Sequence, residues 1–169
     1  MTAIQTARLT ILPVTLDLAR AAGQDRAEFA RLLDARVPDD WPTADFASWL
    51  PILARQLEQT PELGQWVRLA IQTSERQLIG DMGFHGPPDE QGTVEIGYSI
   101  VAASRRQGYA SEGVRALITW AFGQLQVQRL VARCAPDNTA SMRILEQAGL
   151  RQVGQADPLL HWELRRAGR

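Results

Sequence analysis

The chain has 169 residues, 45% of them hydrophobic and 22% charged, a size and balance that suit one domain, residues 1–169, with a real core. Its net charge of −1 offers no basic field, so no nucleic-acid partner is expected. All 18 basic residues are arginine, which excludes lysine Schiff-base chemistry and a P-loop lysine.

Residues 8–14 alternate in polarity and predict a first strand. From Leu16 to about Leu33 apolar residues recur at helical spacing, with a break expected at Gly23. After the Val37–Pro42 loop, Thr43 or Asp45 caps a second helix running to about Gln59. Phe46, Trp49, Leu50 and Leu53 form its inner face, and Pro51 is expected to kink or restart it. Three strands follow at 66–72, 78–85 and 93–101, joined by turns short enough for an antiparallel meander. An amphipathic helix over 109–122 stops at Gly123, and a strand spans 127–135. Strand, helix and strand in that order predict parallel pairing of the strands around residues 97 and 131. A helix over 138–148 ends at Gly149, and strands near 150–155 and 159–165 complete an α+β fold with a mixed sheet and helices on both faces.

No apolar run approaches the ~20 residues of a membrane helix, and the start of the chain has no signal-peptide pattern, so a cytoplasmic protein without membrane contact is expected. The single Cys134 has no disulfide partner, and His85 and His161 lack zinc-ligand spacing. No metal is expected. Both histidines read as ordinary strand residues, and Tyr98 and the tryptophans as mostly core.

The strongest chemical signal lies between the strand ending at Val101 and the helix starting near Tyr109, in Arg105-Arg106-Gln107-Gly108-Tyr109-Ala110. Gly108 can adopt positive φ and lets a ligand approach the main chain, and Ala110 is too small to obstruct it. The amides from Gln107 to Ser111 are the unpaired donors of a first helical turn, which suits a pyrophosphate. Arg105 and Arg106 supply guanidinium forks for phosphate oxygens.

Three ordered blocks then carry a resemblance: Val94-Glu95-Ile96-Gly97-Tyr98-Ser99-Ile100, the Arg105–Glu112 segment, and Asn138-Thr139-Ala140-Ser141 through Leu150. Together they resemble the GNAT superfamily of N-acetyltransferases. The segments Thr6–Pro13 and Pro38–Pro42 are similar to its ribosomal-protein branch, of RimJ/RimL type. The resemblance implies acetyl-CoA as cosubstrate, lying where the strands near 93–102 and 127–135 splay apart. The backbone of Ile100 and Val101 would pair with the pantetheine arm, Gln107–Ser111 would hold the pyrophosphate, and Asn138 and Ser141 would face the thioester sulfur. The partner implied is an amine acceptor, a protein or peptide N-terminus first; a small amine (antibiotic, polyamine or amino-acid derivative) and a non-catalytic acyl-CoA sensor are the alternatives. A homodimer is also open.

An amine must lose a proton before it attacks a thioester. Glu95 is the candidate base, through water, unless it is an ion-pair partner for an arginine. The tyrosine that many family members place seven residues after the asparagine of the third block is Leu145 here. Ser141 is the expected substitute, hydrogen-bonding the departing sulfur, unless it serves as a first-turn backbone partner. Arg106 stands where a small residue is common, and Leu150 where phenylalanine is usual. Trp41 is a candidate wall of the acceptor pocket, and Asp39 and Asp40 would draw a cationic amine unless they form a solvated loop.

Overall fold

The computed structural model describes residues 2–156 and 158–167; Met1, Asp157 and Gly168–Arg169 of the expected 1–169 domain lie outside them. A two-residue strand, β1 (Ile4–Gln5), pairs antiparallel with β2 (Leu9–Pro13). It is too short to leave a period in the sequence. The first helical stretch is two helices, α1 (Leu16–Gln24) and α2 (Arg26–Leu33), and the break falls at Asp25 rather than Gly23. Asp25 accepts from the amides of Ala27 and Glu28, both at 3.0 Å, so a cap that satisfies free donors sets the boundary.

Thr43 caps α3 (Ala44–Gln59) by accepting from the Phe46 amide. The expected restart at Pro51 does not occur, and the helix runs through it. Pro51 and Ala47 both lie on the exposed side, so the Ala47 carbonyl that loses its donor has water available.

The remaining elements are β3 (Val67–Gln72), β4 (Gln77–Phe84), β5 (Thr93–Ile100), α4 (Tyr109–Gly123), β6 (Arg129–Cys134), α5 (Thr139–Gln147), β7 (Arg151–Ala156) and β8 (Leu159–Arg165). They form one eight-stranded sheet, ordered β1-β2-β3-β4-β5-β6-β8-β7. Every neighbouring pair is antiparallel except β5 and β6, which run parallel as expected. Their register holds for Thr93↔Arg129, Val94↔Leu130 and Glu95↔Val131. Beyond Glu95 both strands continue without a shared ladder among the described residues, which opens a V in the middle of the sheet.

Each face of the sheet buries its own core. Ile96, Leu130 and Phe84 pack with Val114 and Leu117 of α4 and Leu145 of α5 on one side. Leu69, Ile71 and Val101 pack with Phe29, Leu53 and Leu57 of α1–α3 on the other. Apolar burial on both faces holds the two helical layers to the sheet and fixes the alternation of β5 across the V.

Candidate active site

The turn ahead of α4 is built as its residue types require. Gly108 sits at the helix N-cap with φ 82°, and Arg106 also adopts positive φ, at 60°. Gly108 has no side chain with which to cap the helix. Among the described residues, none of the amides from Gln107 to Ser111 donates to a protein acceptor. Five donors therefore bunch at the positive end of a 15-residue helix. Arg106 is exposed beside them. Arg105 is drawn partly into the scaffold, since its Nε donates to the Ile100 carbonyl at 2.8 Å. The Gln107 side chain donates to the Ala103 carbonyl at 3.1 Å. Tyr109 is buried, Ala110 packs against the core, and Ser111 is half-buried.

Arg8 secures this turn from outside. It donates to the Gln107 carbonyl at 2.9 Å and to Glu112 at 2.7 Å, and its guanidinium lies 4.6 Å above the Tyr109 ring. Asp40 secures the other end, accepting from the Ala102 amide at 3.0 Å. That corrects its expected part in drawing an amine: Asp40 anchors the loop, and Asp39 pairs with Arg26 at 3.5 Å.

Val101 does not present its peptide groups to the V. Its amide donates to Ile79 at 2.9 Å and its carbonyl accepts from Ser104 at 3.0 Å. By the alternation of an antiparallel ladder, Tyr98 and Ile100 are the residues whose peptide groups turn away from β4 toward β6. Val101 is therefore engaged within the scaffold, while the Ile100 amide turns to the V and its carbonyl accepts from Arg105 Nε at 2.8 Å.

A cleft of about 720 Å³ passes through the V. On the α1–α3 side its floor consists of three successive rungs of the β4–β5 ladder. Asp81 faces Ser99, Gly83 faces Gly97, and His85 follows, its amide bonded to the Glu95 carbonyl. The central rung carries no side chain. The His85 imidazole leans over it, with Nε2 2.8 Å from where a Gly97 Cβ would stand. Glu95 is the ion-pair partner its alternative reading anticipated: Arg133 donates to both carboxylate oxygens, at 2.7 and 3.0 Å. His85 Nδ1 lies 3.5 Å from the same carboxylate. His161 faces Arg133 on the β8 side, outside the cleft.

Trp41 does not line the cleft. It is 2% exposed, stacked on Phe29 with centroids 4.9 Å apart, and its Nε1 donates to Asp81 Oδ1 at 3.0 Å. A ring this large gains more from the core than from a wetted wall. Phe46 and Trp49, half-buried on α3, are the aromatic wall instead. Burial pushes the Asp81 pKa up to about 6, although the Trp41 hydrogen bond works against it.

On the opposite side of the sheet, Tyr98 and Ser141 meet across the V with their hydroxyls 2.8 Å apart. Asn138 lines the cleft and caps α5, accepting from the Ser141 amide at 3.0 Å. Ser141 thus has its hydroxyl free for Tyr98. Burial raises the Tyr98 pKa, while the Ser141 hydrogen bond lowers it, and the net effect keeps the phenol protonated at neutral pH. Leu145 lies in the core at the cleft wall, so the hydroxyl absent from α5 arrives from β5. Among the described residues no cluster of His, Cys, Asp or Glu could hold a metal, and no helix is long and apolar enough to cross a membrane.

Residues 8–151 match the model of the acetyltransferase (GNAT) domain. The chain belongs to the GNAT acetyltransferase family. This GNAT protein is 30% identical over 165 residues to the uncharacterized N-acetyltransferase YjdG of Bacillus subtilis (strain 168), covering 96% of its own length and 97% of the relative. It is an N-acetyltransferase. Its fold is shared with the ribosomal-protein-S5-alanine acetyltransferase of Vibrio fischeri (TM-score 0.71, 15% identity, 98% and 97% of the two chains). RimL, a ribosomal L7/L12 alpha-N-protein acetyltransferase solved with coenzyme A, shares it too (TM-score 0.69, 18% identity, 97% and 98%). Among the cleft side chains that carried no site role in the sequence are Asp81, His85 and Tyr98. Their one signal is period: Asp81 and His85 share a face with Gly83, as Tyr98 shares one with Ile96 and Ile100.

Proposed function

We propose that the protein transfers the acetyl group of acetyl-CoA directly to a primary amine, that of a protein or peptide N-terminus first, and that residues 1–169 act as a single cytoplasmic N-acetyltransferase domain. The observation that carries this reading is the bunch of free amides from Gln107 to Ser111, at the end of the strand from which β6 parts. Those donors fit a diphosphate, with Arg106 exposed beside them. The peptide groups of Tyr98 and the amide of Ile100 face the V and suit an amide-bearing arm.

Acetyl-CoA supplies an activated acyl group whose leaving atom is a thiolate, pKa ~8.5 for an ordinary thiol. Tyr98 and Ser141 deliver a hydrogen bond, and in the end the Tyr98 proton, to that sulfur. On the other side of the sheet an incoming nitrogen would approach over the Gly83–Gly97 rung, where the His85 imidazole lies above Gly97. His85, above that rung, takes the amine's proton, with the Glu95 carboxylate behind it. Glu95, engaged by Arg133, acts by holding His85 and the charge of the site rather than as the immediate base. The like fold of RimL, an alpha-N-protein acetyltransferase, supports a protein N-terminus as acceptor.

Thiol release from acetyl-CoA with a panel of peptides and small amines, followed by mass analysis, tests the reading. An acetylated peptide α-amine is expected. Release with small amines alone would replace the acceptor, and no release with any amine would remove the activity. In the same assay His85→Gln is expected to lower kcat more than Glu95→Gln does; the reverse order returns Glu95 to the base's role.

A further inference from the structure

Two carboxylates of the cleft, Asp45 and Asp81, have no part in that chemistry. Asp81 lies on the acceptor side, one same-face rung from the bare Gly83–Gly97 position. Its bonds run to Trp41 Nε1 at 3.0 Å and to its own backbone. Among the described residues no guanidinium pairs with it, whereas Glu95 and Glu163, the other carboxylates on the sheet's cleft-side strands, are both held by arginines. A half-buried carboxylate without a cation is costly unless something supplies one. Its surroundings say what kind. Phe46 and Trp49 stand on the same cleft, half-buried, with ring centroids 5.9 Å apart in an edge-to-face pair. A carboxylate floor beside an aromatic wall recognises an ammonium carried on an apolar body.

We propose that Asp81 binds the ammonium group of the acceptor before transfer, and that Phe46 and Trp49 receive a large apolar side chain on the adjoining carbon. The preferred substrate is a peptide whose first residue is bulky and apolar. This rests on the acetyl-transfer reading and adds the acceptor's class to it. The charged and titratable groups sharing the cleft with Asp81 are Asp45 on α3, His85 after β4, Glu95 and Tyr98 on β5, and Arg133 and Cys134 on β6. Arg133 is engaged by Glu95, which leaves Asp81 as the anion beside the bare rung. Trp41 orients it: the indole fixes Oδ1, so the carboxylate is held in one pose instead of turning to solvent.

The test compares otherwise identical peptides beginning with Phe, Leu, Gly or Asp, in wild type, Asp81→Asn and Trp49→Ala. Asp81→Asn keeps an oxygen for Trp41 and removes the charge. Expected are a lower KM for Phe and Leu peptides than for Gly and Asp peptides in wild type, and a rise in peptide KM of about tenfold or more in Asp81→Asn. The coenzyme A affinity of Asp81→Asn should be unchanged. Trp49→Ala should erase the preference while retaining turnover of the Gly peptide. Equal KM values across the wild-type panel overturn the proposal, and this arm needs no variant to fold. An unaltered peptide KM in folded Asp81→Asn does so as well. Failure of wild type to acetylate any amine instead removes the acetyl-transfer reading itself.

Discussion

Arg8 Nε lies 2.7 Å from Glu112 Oε2, which fastens the start of the sheet to the first turn of the helix whose free amides form the proposed diphosphate site. The same carboxylate accepts from the Arg8 amide at 2.8 Å and from the Thr6 hydroxyl at 2.6 Å. Glu112→Gln loses the charge on this clamp and frees the Gln107 end of the turn. We expect coenzyme A affinity to fall about three- to tenfold, the scale of a partly exposed ion pair with its hydrogen bonds. Calorimetric titration checks it, with kcat at saturation unchanged.

The clamp also has an acid limit. Burial works to raise the Glu112 pKa, but hydrogen bonds from Thr6 and Arg8 outweigh it and hold the group below its ordinary 4.5. Folded value below unfolded means stabilisation that is whole above pH 4.5 and lost as pH falls through the folded value. Thermal scans of wild type and Glu112→Gln should therefore differ at pH 7 and converge as the pH drops below 4.5.

Gly108 holds φ 82°, a conformation that costs a residue with Cβ about 1 kcal/mol or more. Gly108→Ala is expected to lower Tm by a few degrees and to weaken coenzyme A binding. Gly108→Glu adds an anion to the cradle and should abolish binding in a folded protein. Retained affinity in the glutamate variant would place the diphosphate elsewhere.

Tyr98→Phe and Ser141→Ala each break the hydroxyl pair across the V. Each is expected to lower kcat about 10- to 100-fold with little change in peptide KM. Because the two hydroxyls act as one donor chain, the double variant should be scarcely worse than the poorer single one. Additive losses would mean separate roles.

Asp81 links acceptor binding to stability. Its folded pKa, about 6, stands above the ordinary 3.8. The folded state therefore holds the extra proton between those values, so the contribution is present below pH 3.8 and lost as pH rises through 6. At pH 7 the penalty is on the order of 2–3 kcal/mol. Asp81→Asn should raise Tm at pH 7 by roughly 5 °C and confer no advantage at pH 4.

Much of this was legible because period and punctuation agree. The strand–helix–strand order around Gly108 marks both the parallel pair and the donor-rich turn. Elements too short or too mixed were not: β1 has two residues, and the α1–α2 boundary depends on a capping bond of Asp25 that Gly23 obscures. The cofactor side of the site lies in consecutive residues, so it can be read along the chain. The acceptor side is assembled from α3, β4 and β5, and its geometry belongs to register. Trp41 shows the difficulty: its proline-flanked loop suggests exposure, yet Phe29, distant in sequence, supplies the ring that buries it. Glu95 lines the cleft as an ion-pair partner, which the sequence could not show because Arg133 reaches it only through the sheet.

The V has a mechanical meaning as well. Among the described residues the β5–β6 ladder holds only three residue pairs, so along the rest of the seam the two plates of the sheet are joined by side chains and the shared core rather than by main-chain bonds. A thioester cosubstrate threaded through the seam would act as a crossbar, exchanging the looseness of the plates for its own binding energy. Heat resistance should then climb with the cell's supply of acylated carrier, and a starved enzyme would be the softer one, the first to be unfolded and cleared.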